Sequence, residues 1–148
     1  MPADNYDKNT PTPTTLRLMR LLESSPKRFL EQYFPVIKNT SFHSHLRTLM
    51  SKRNITSSEL IRSADISKTY VYQCLNGERL PGRDIALRMA FILKLDVKET
   101  QRFLTLAQKS VLYPKRRRDA AILFCIQKKL HLDETNSFLK DLGEKDLL

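Results

Sequence analysis

The order of apolar and polar residues divides this chain before any single residue is weighed. Residues 1–14, MPADNYDKNTPTPT, are polar, hold three prolines and show no period, the composition of a disordered tail. Leu16, Leu18, Met19, Leu21 and Leu22 then cluster on a short helix, and Ser25-Pro26 opens a second, with serine as cap and proline at the first helical position. That helix presents Phe29, Leu30, Tyr33 and Phe34 before Pro35 stops it. Two helices this apolar need a surface to pack on, in the main domain or in a partner chain. Farther on, Thr56 with Glu59 three residues later has the form of a capping box, followed by Leu60, Ile61 and Ala64 at helical spacing. Asp65-Ile66 forms a corner, Ser67 caps another helix with Val71, Cys74 and Leu75 on its buried face, and Asn76-Gly77 ends it. Lys68, Thr69, Tyr70, Tyr72 and Gln73 are left on the exposed face and the amino-terminal end of that helix.

The pattern also repeats. A shift of 35 residues lays Arg83–Gln108 over Arg118–Gly143, and nine of the 26 positions are identical, from Arg83-Asp84 against Arg118-Asp119 to Phe103-Leu104 against Phe138-Leu139. Shared amphipathicity inflates such a figure, but it still exceeds what unrelated helices give. Each copy reads as helix, short turn, helix. Asp96 and Glu99 supply a capping box in the first; in the second, His131 holds the cap position, so the cap is weaker or slides to Asp133. The period is close to that of stacked helical hairpins, and the last hairpin of the central domain is expected to be copied and docked beside the original. The whole is expected to be all-α, with about nine helices and no strand.

Charge sharpens the picture. The net charge is +10, and residues 41–110, with 12 basic and 6 acidic side chains, hold six of those ten charges. A basic excess around the outward-facing helix favours a polyanionic partner. Cys74 and Cys125 lie on apolar helical faces far apart in sequence, as buried small hydrophobes do; with no signal-peptide or membrane-spanning stretch, a reducing, cytoplasmic setting is expected. Catalytic signatures are missing. His43, His45 and His131 lack partners at metal-ligand spacing, and three glycines exclude a Gly-rich phosphate loop. No enzyme activity, metal or cofactor is expected.

The segment Ile55–Pro81 resembles the helix-turn-helix of lambda-repressor-like proteins, also called the Cro or xenobiotic-response-element family, and aligns without gaps through the ending Asn76-Gly77-Glu78-Arg79-Leu80-Pro81. Ile61 stands where the family usually has Ala, Asp65 where it has Gly, and Ser57 where it often has a phosphate-touching Gln. The resemblance implies a five-helix DNA-binding domain over residues 41–110, flanked by the tail (1–14), an N-terminal helical extension (15–40) and a C-terminal helical hairpin (111–148). It implies a sequence-specific regulator of prokaryotic or phage type, a repressor acting as a homodimer on double-stranded DNA. In the residues' own chemistry, Lys68 suits guanine acceptors or a phosphate, Thr69 a thymine methyl, and Gln73 a bidentate adenine pair; Tyr72 shares their face. Ser57, Tyr70, Arg79 and Arg83 are the expected phosphate contacts. The run Lys115-Arg116-Arg117-Arg118 has three readings: a phosphate contact, a solvated helix end, or a structural Arg118–Asp119 pair. An alternative function keeps the fold without a DNA role, as a protein-interaction module whose partner, an enzyme or a toxin, covers the N-terminal helices or the C-terminal hairpin. An antitoxin-like regulator would combine the two.

Overall fold

A computed structural model describes residues 13–33 and 41–148. Of the expected tail, residues 1–12 with Thr10 and Thr12 lie outside the described residues, as do Phe34 and Pro35. The described residues are all-helical: α1 (Pro13–Ser24), α2 (Pro26–Tyr33), α3 (Phe42–Arg53), α4 (Ser57–Ser63), α5 (Lys68–Leu75), α6 (Arg83–Ile92), α7 (Val97–Leu106), α8 (Arg117–Gln127) and α9 (Leu132–Asp141), with no strand among them. The chain forms two compact units, Met1–Asn39 and Thr40–Leu148.

In the first unit α1 and α2 pack on each other and meet at Ser25. The Ser25 N–H donates to Leu21 O, and its carbonyl accepts from the Phe29 N–H, both at 2.9 Å. Pro26 takes the first helical position, where its missing N–H leaves no bond unmade. Phe29 is buried, whereas Leu16, Met19, Leu22 and Leu30 are exposed.

In the second unit several helix starts have a local cause, although α6 and α8 begin without a side-chain cap. Thr56 Oγ1 accepts from the Glu59 N–H at 3.1 Å, and Ser67 Oγ from the Tyr70 N–H at 3.2 Å. Asp96 and Glu99 form the complete reciprocal box, at 2.8 and 3.1 Å. Before α9 the cap stays at His131 and does not slide to Asp133; Glu134 accepts from the His131 N–H at 3.0 Å, which keeps that half of the box.

The repeat is more complete in the backbone than in the sequence. Lys94 and Lys129 both adopt φ 56°, and Gln108 and Gly143 adopt 59° and 73°; each is the left-handed residue that closes a Schellman turn. The likeness runs past Gly143. Gln101 exchanges hydrogen bonds with Leu112 (2.7 and 2.8 Å), and its counterpart Asn136 accepts from the Leu147 N–H at 2.8 Å. Leu112 and Leu147, again 35 residues apart, are both buried. One core, including Leu46, Leu60, Leu87, Phe103, Ile122, Leu139 and Leu147, runs through α3 to α9, so the C-terminal hairpin has no separate core.

Crossed ion pairs join the two copies. Arg83 donates to both carboxylate oxygens of Asp119 (3.0 and 2.9 Å), and Arg118 to both of Asp84 (3.0 and 3.1 Å). The remaining donors bind each arginine's own repeat: Arg83 the carbonyls of Ser110 and Val111, Arg118 those of Lys145 and Asp146. Helix contacts are reciprocal too, α6 with α9 and α7 with α8. Residue i meeting j′ while i′ meets j is the mark of a two-fold relation. The Arg118–Asp119 pairing within one dipeptide is therefore replaced by pairing between the copies, because helix geometry turns successive side chains to different faces.

Burial alone would raise the Asp119 carboxyl, but the hydrogen bond from Arg83, the Tyr113 N–H and the nearby arginine charges outweigh it and hold its pKa below the ordinary carboxylate value. A depressed folded-state pKa stabilises fully above the unfolded value of about 4, and this contribution should be lost as pH falls through and below it. Arg83→Ala should cost about 3–5 kcal/mol in urea unfolding, since it strands a buried charge. Arg118→Ala should cost clearly less, because the Asp84 side chain is 28% exposed against 4% for Asp119. Equal losses would show that burial does not separate the two pairs.

Candidate nucleic-acid interface

The centre of the candidate site is α5, fixed on three sides. Val71, Cys74 and Leu75 bury its inner face. At its start Asp65 adopts φ 54°, and the Ile66 N–H returns to Ile61 O at 3.1 Å, turning the chain sharply between α4 and α5. At its end the Gly77 N–H bonds Cys74 O and the Glu78 N–H bonds Gln73 O, the two bonds of a Schellman motif. Arg47, on α3, completes that end by donating to Leu75 O at 3.0 Å and to Asn76 Oδ1 at 3.3 Å. Sequence reasoning missed Arg47, since nothing in its local pattern points to carbonyls 28 residues away.

Lys68, Thr69 and Tyr72 are exposed on the outer face, while Gln73, Tyr70 and Ser57 are half-buried. Ser57 Oγ lies 3.3 Å from the Tyr72 hydroxyl, which links the start of α4 to the outer face of α5. The Lys68 ammonium lies 6.0 Å from the centre of the Tyr72 ring, at the edge of cation–π range, and forms no ion pair among the described residues. Lys68, Tyr72 and Ser57 thus make one contiguous polar surface. Asp65 before the helix and Glu78 after it are exposed acidic residues at its two ends.

A second group stands at the carboxyl end. The Arg79 guanidinium stacks 4.3 Å from the centre of the Tyr70 ring and donates to Gln73 Oε1 at 3.3 Å. The Tyr70 hydroxyl accepts from the Gly82 N–H at 2.9 Å and so helps to fix the segment entering α6. Gln73 uses both its amide oxygen and nitrogen to pair with adenine; Arg79 occupies one of the two acceptor positions on that oxygen. Arg83 is placed differently from the other expected phosphate contacts: its three guanidinium nitrogens serve Asp119, Ser110 and Val111 inside the fold. In the basic run, Arg117 binds Leu142 O and Glu144, and Arg118 binds Asp84 and two carbonyls; Lys115 and Arg116 are exposed.

Neither cysteine is set up as a nucleophile. Burial pushes the Cys74 thiol up to about 11 despite nearby Arg79, and burial raises Cys125 as well. His45 is shifted down, first by burial and then by the charges of Arg102 and Lys52. Among the described residues no group of three His, Cys, Asp or Glu side chains could hold a metal ion, and no helix is long and apolar enough to cross a membrane.

Compared with protein-family models, with curated proteins and with solved structures, the chain matches none.

Gly77 closes α5 at φ +77°, and a Cβ there would lie 2.8 Å from His43 Nδ1. Gly77→Ala should therefore destabilise the protein by more than the roughly 1–2 kcal/mol of a left-handed alanine. In a His43→Ala background only that conformational part should remain, a coupling that a double-mutant cycle in urea measures. Additive costs would rule out the steric contribution.

Proposed function

We propose that this protein is a sequence-specific DNA-binding regulator with a lambda-repressor-like arrangement of α3–α7, placing α5 in the major groove. One observation carries the proposal: Lys68, Thr69 and Tyr72 stand exposed on a short helix whose opposite face is locked into the core. A rigid helix with exposed polar side chains on one side matches the grooves' hydrogen-bonding edges. The capped start of α4, with Ser57 beside Tyr72, suits a phosphate oxygen, as backbone amides at a helix start do. Arg79 adds positive charge at the far end, and the basic excess over residues 41–110 supplies attraction to a polyanion. Binding as a homodimer follows from the few base pairs that one such helix spans. The protein acts by binding rather than catalysis in this reading.

The second reading, a protein-interaction module, draws on the exposed apolar side chains Leu16, Met19, Leu22 and Leu30 of the first unit. Where such side chains form one contiguous patch, another protein is a natural cover for it.

In vitro selection from random duplexes should return a two-fold symmetric site. Lys68→Ala or Gln73→Ala should weaken binding to that site by about 1–3 kcal/mol, while the logarithm of affinity should fall with that of salt by about 0.9 per phosphate neutralised. Absence of any sequence preference at physiological salt would defeat the proposal, and tight partner capture with little salt dependence would favour the second reading.

A further inference from the structure

The two hairpins meet at a cavity of about 390 Å³, inside the roughly 300–1,000 Å³ range of small-molecule sites. Its composition follows the internal two-fold. Phe91 and Leu95 from the first copy, with their counterparts Ile126 and Leu130 from the second, supply apolar lining. Lys94 and Lys129 enter from opposite copies at equivalent positions. Neither amine is in an ion pair among the described residues, and both side chains are exposed.

The charge here is unbalanced in one direction. Arg53 also lines the cavity, but its guanidinium is held by Glu99 at 2.8 Å. Asp96 is the acidic member of the lining, and its carboxylate accepts from the Glu99 N–H at the start of α7. The two-fold breaks at its counterpart, where His131 places an imidazole instead. Two lysines without an ion pair among the described residues therefore border an apolar lining. Both lysines also sit at left-handed turn positions, where glycine would fit without steric cost.

We propose that this cavity binds a small organic anion with an apolar body, such as a medium-chain or aromatic carboxylate. The apolar part lies against Phe91, Leu95, Ile126 and Leu130, and the carboxylate accepts from Lys94 and Lys129 in charge-assisted hydrogen bonds. The carboxylate lies where the two copies converge, so a single acidic group is reached from both. This inference does not rest on DNA binding, and its test reads neither DNA affinity nor repression.

The probe is 4-phenylbutyrate, titrated into the full chain and followed by methyl NMR. Saturable shifts are expected on Leu95, Ile126 and Leu130, with the Leu16 and Leu22 methyls unmoved. Lys94→Asn with Lys129→Asn removes both charges while keeping a residue that tolerates the left-handed turn, and should weaken binding about tenfold or more. The neutral 4-phenylbutan-1-ol should bind the native chain weaker by a similar factor. Leu130→Phe, which fills the cavity from its partly exposed side, should abolish the shifts with the charges intact. The proposal is overturned if no cavity methyl moves at millimolar probe, if shifts fall on the first unit instead, or if the alcohol binds as well as the acid.

Discussion

Two arginines and two aspartates, exchanged between the hairpins, fix how the two copies sit on the core they share. Each arginine clamps the carboxylate of the opposite copy and the carbonyls that follow its own hairpin, so one side chain fixes helix start, loop and neighbour at once. A bidentate guanidinium–carboxylate pair is directional, and two of them related by a two-fold leave the hairpins little freedom to slide. The constraint reaches the outward helix through Arg88, which binds Leu147 O (2.6 Å) at the end of the second copy and Asp65 O (3.1 Å) at the corner before α5. The last residues of the chain thus brace the turn that aims α5.

That bracing gives the candidate interface its physical character. Lys68, Thr69 and Tyr72 are exposed, the Tyr72 hydroxyl beside Ser57, and are mounted on a helix tied down at both ends, by Ser67 and the Asp65 corner in front and by Arg47 and Gly77 behind. Side chains on such a support lose less freedom on binding than side chains on a loop. The Arg79–Tyr70–Gln73 group is ordered already through a stacked ring and a shared amide oxygen, which restricts which partners Gln73 can take.

The two copies match more closely in backbone geometry than in side chains. Closing turns, the caps before α7 and α9, and the bonds from Gln101 and Asn136 correspond between copies, yet the side-chain chemistry differs. Thr135 donates to His131 O at 3.0 Å, whereas the hydroxyl of its counterpart Thr100 is buried without a partner. Asp96 caps α7 with its carboxylate, while His131 leaves the corresponding work at α9 to Glu134.

Much of the architecture was legible in the chain because its causes are local. Thr56, Ser67 and Asp96 mark helix starts through their own oxygens, Gly77 marks an end through its lack of a Cβ, and Val71, Cys74 and Leu75 mark a buried face through helical spacing. The same spacing marked Lys68, Thr69 and Tyr72 as outward, whereas Tyr70 and Gln73, expected beside them, are half-buried against Arg79. What only the tertiary structure decided was which partner each long cationic side chain takes. Arg83 and Arg118 exchange aspartates 36 and 34 residues away, and Arg47 reaches carbonyls at the end of α5. An arginine's reach is longer than a helical turn, and its charge fits a phosphate, a carboxylate or a carbonyl equally well. Its role is therefore set by what folding brings near it, and no periodicity in the sequence records that.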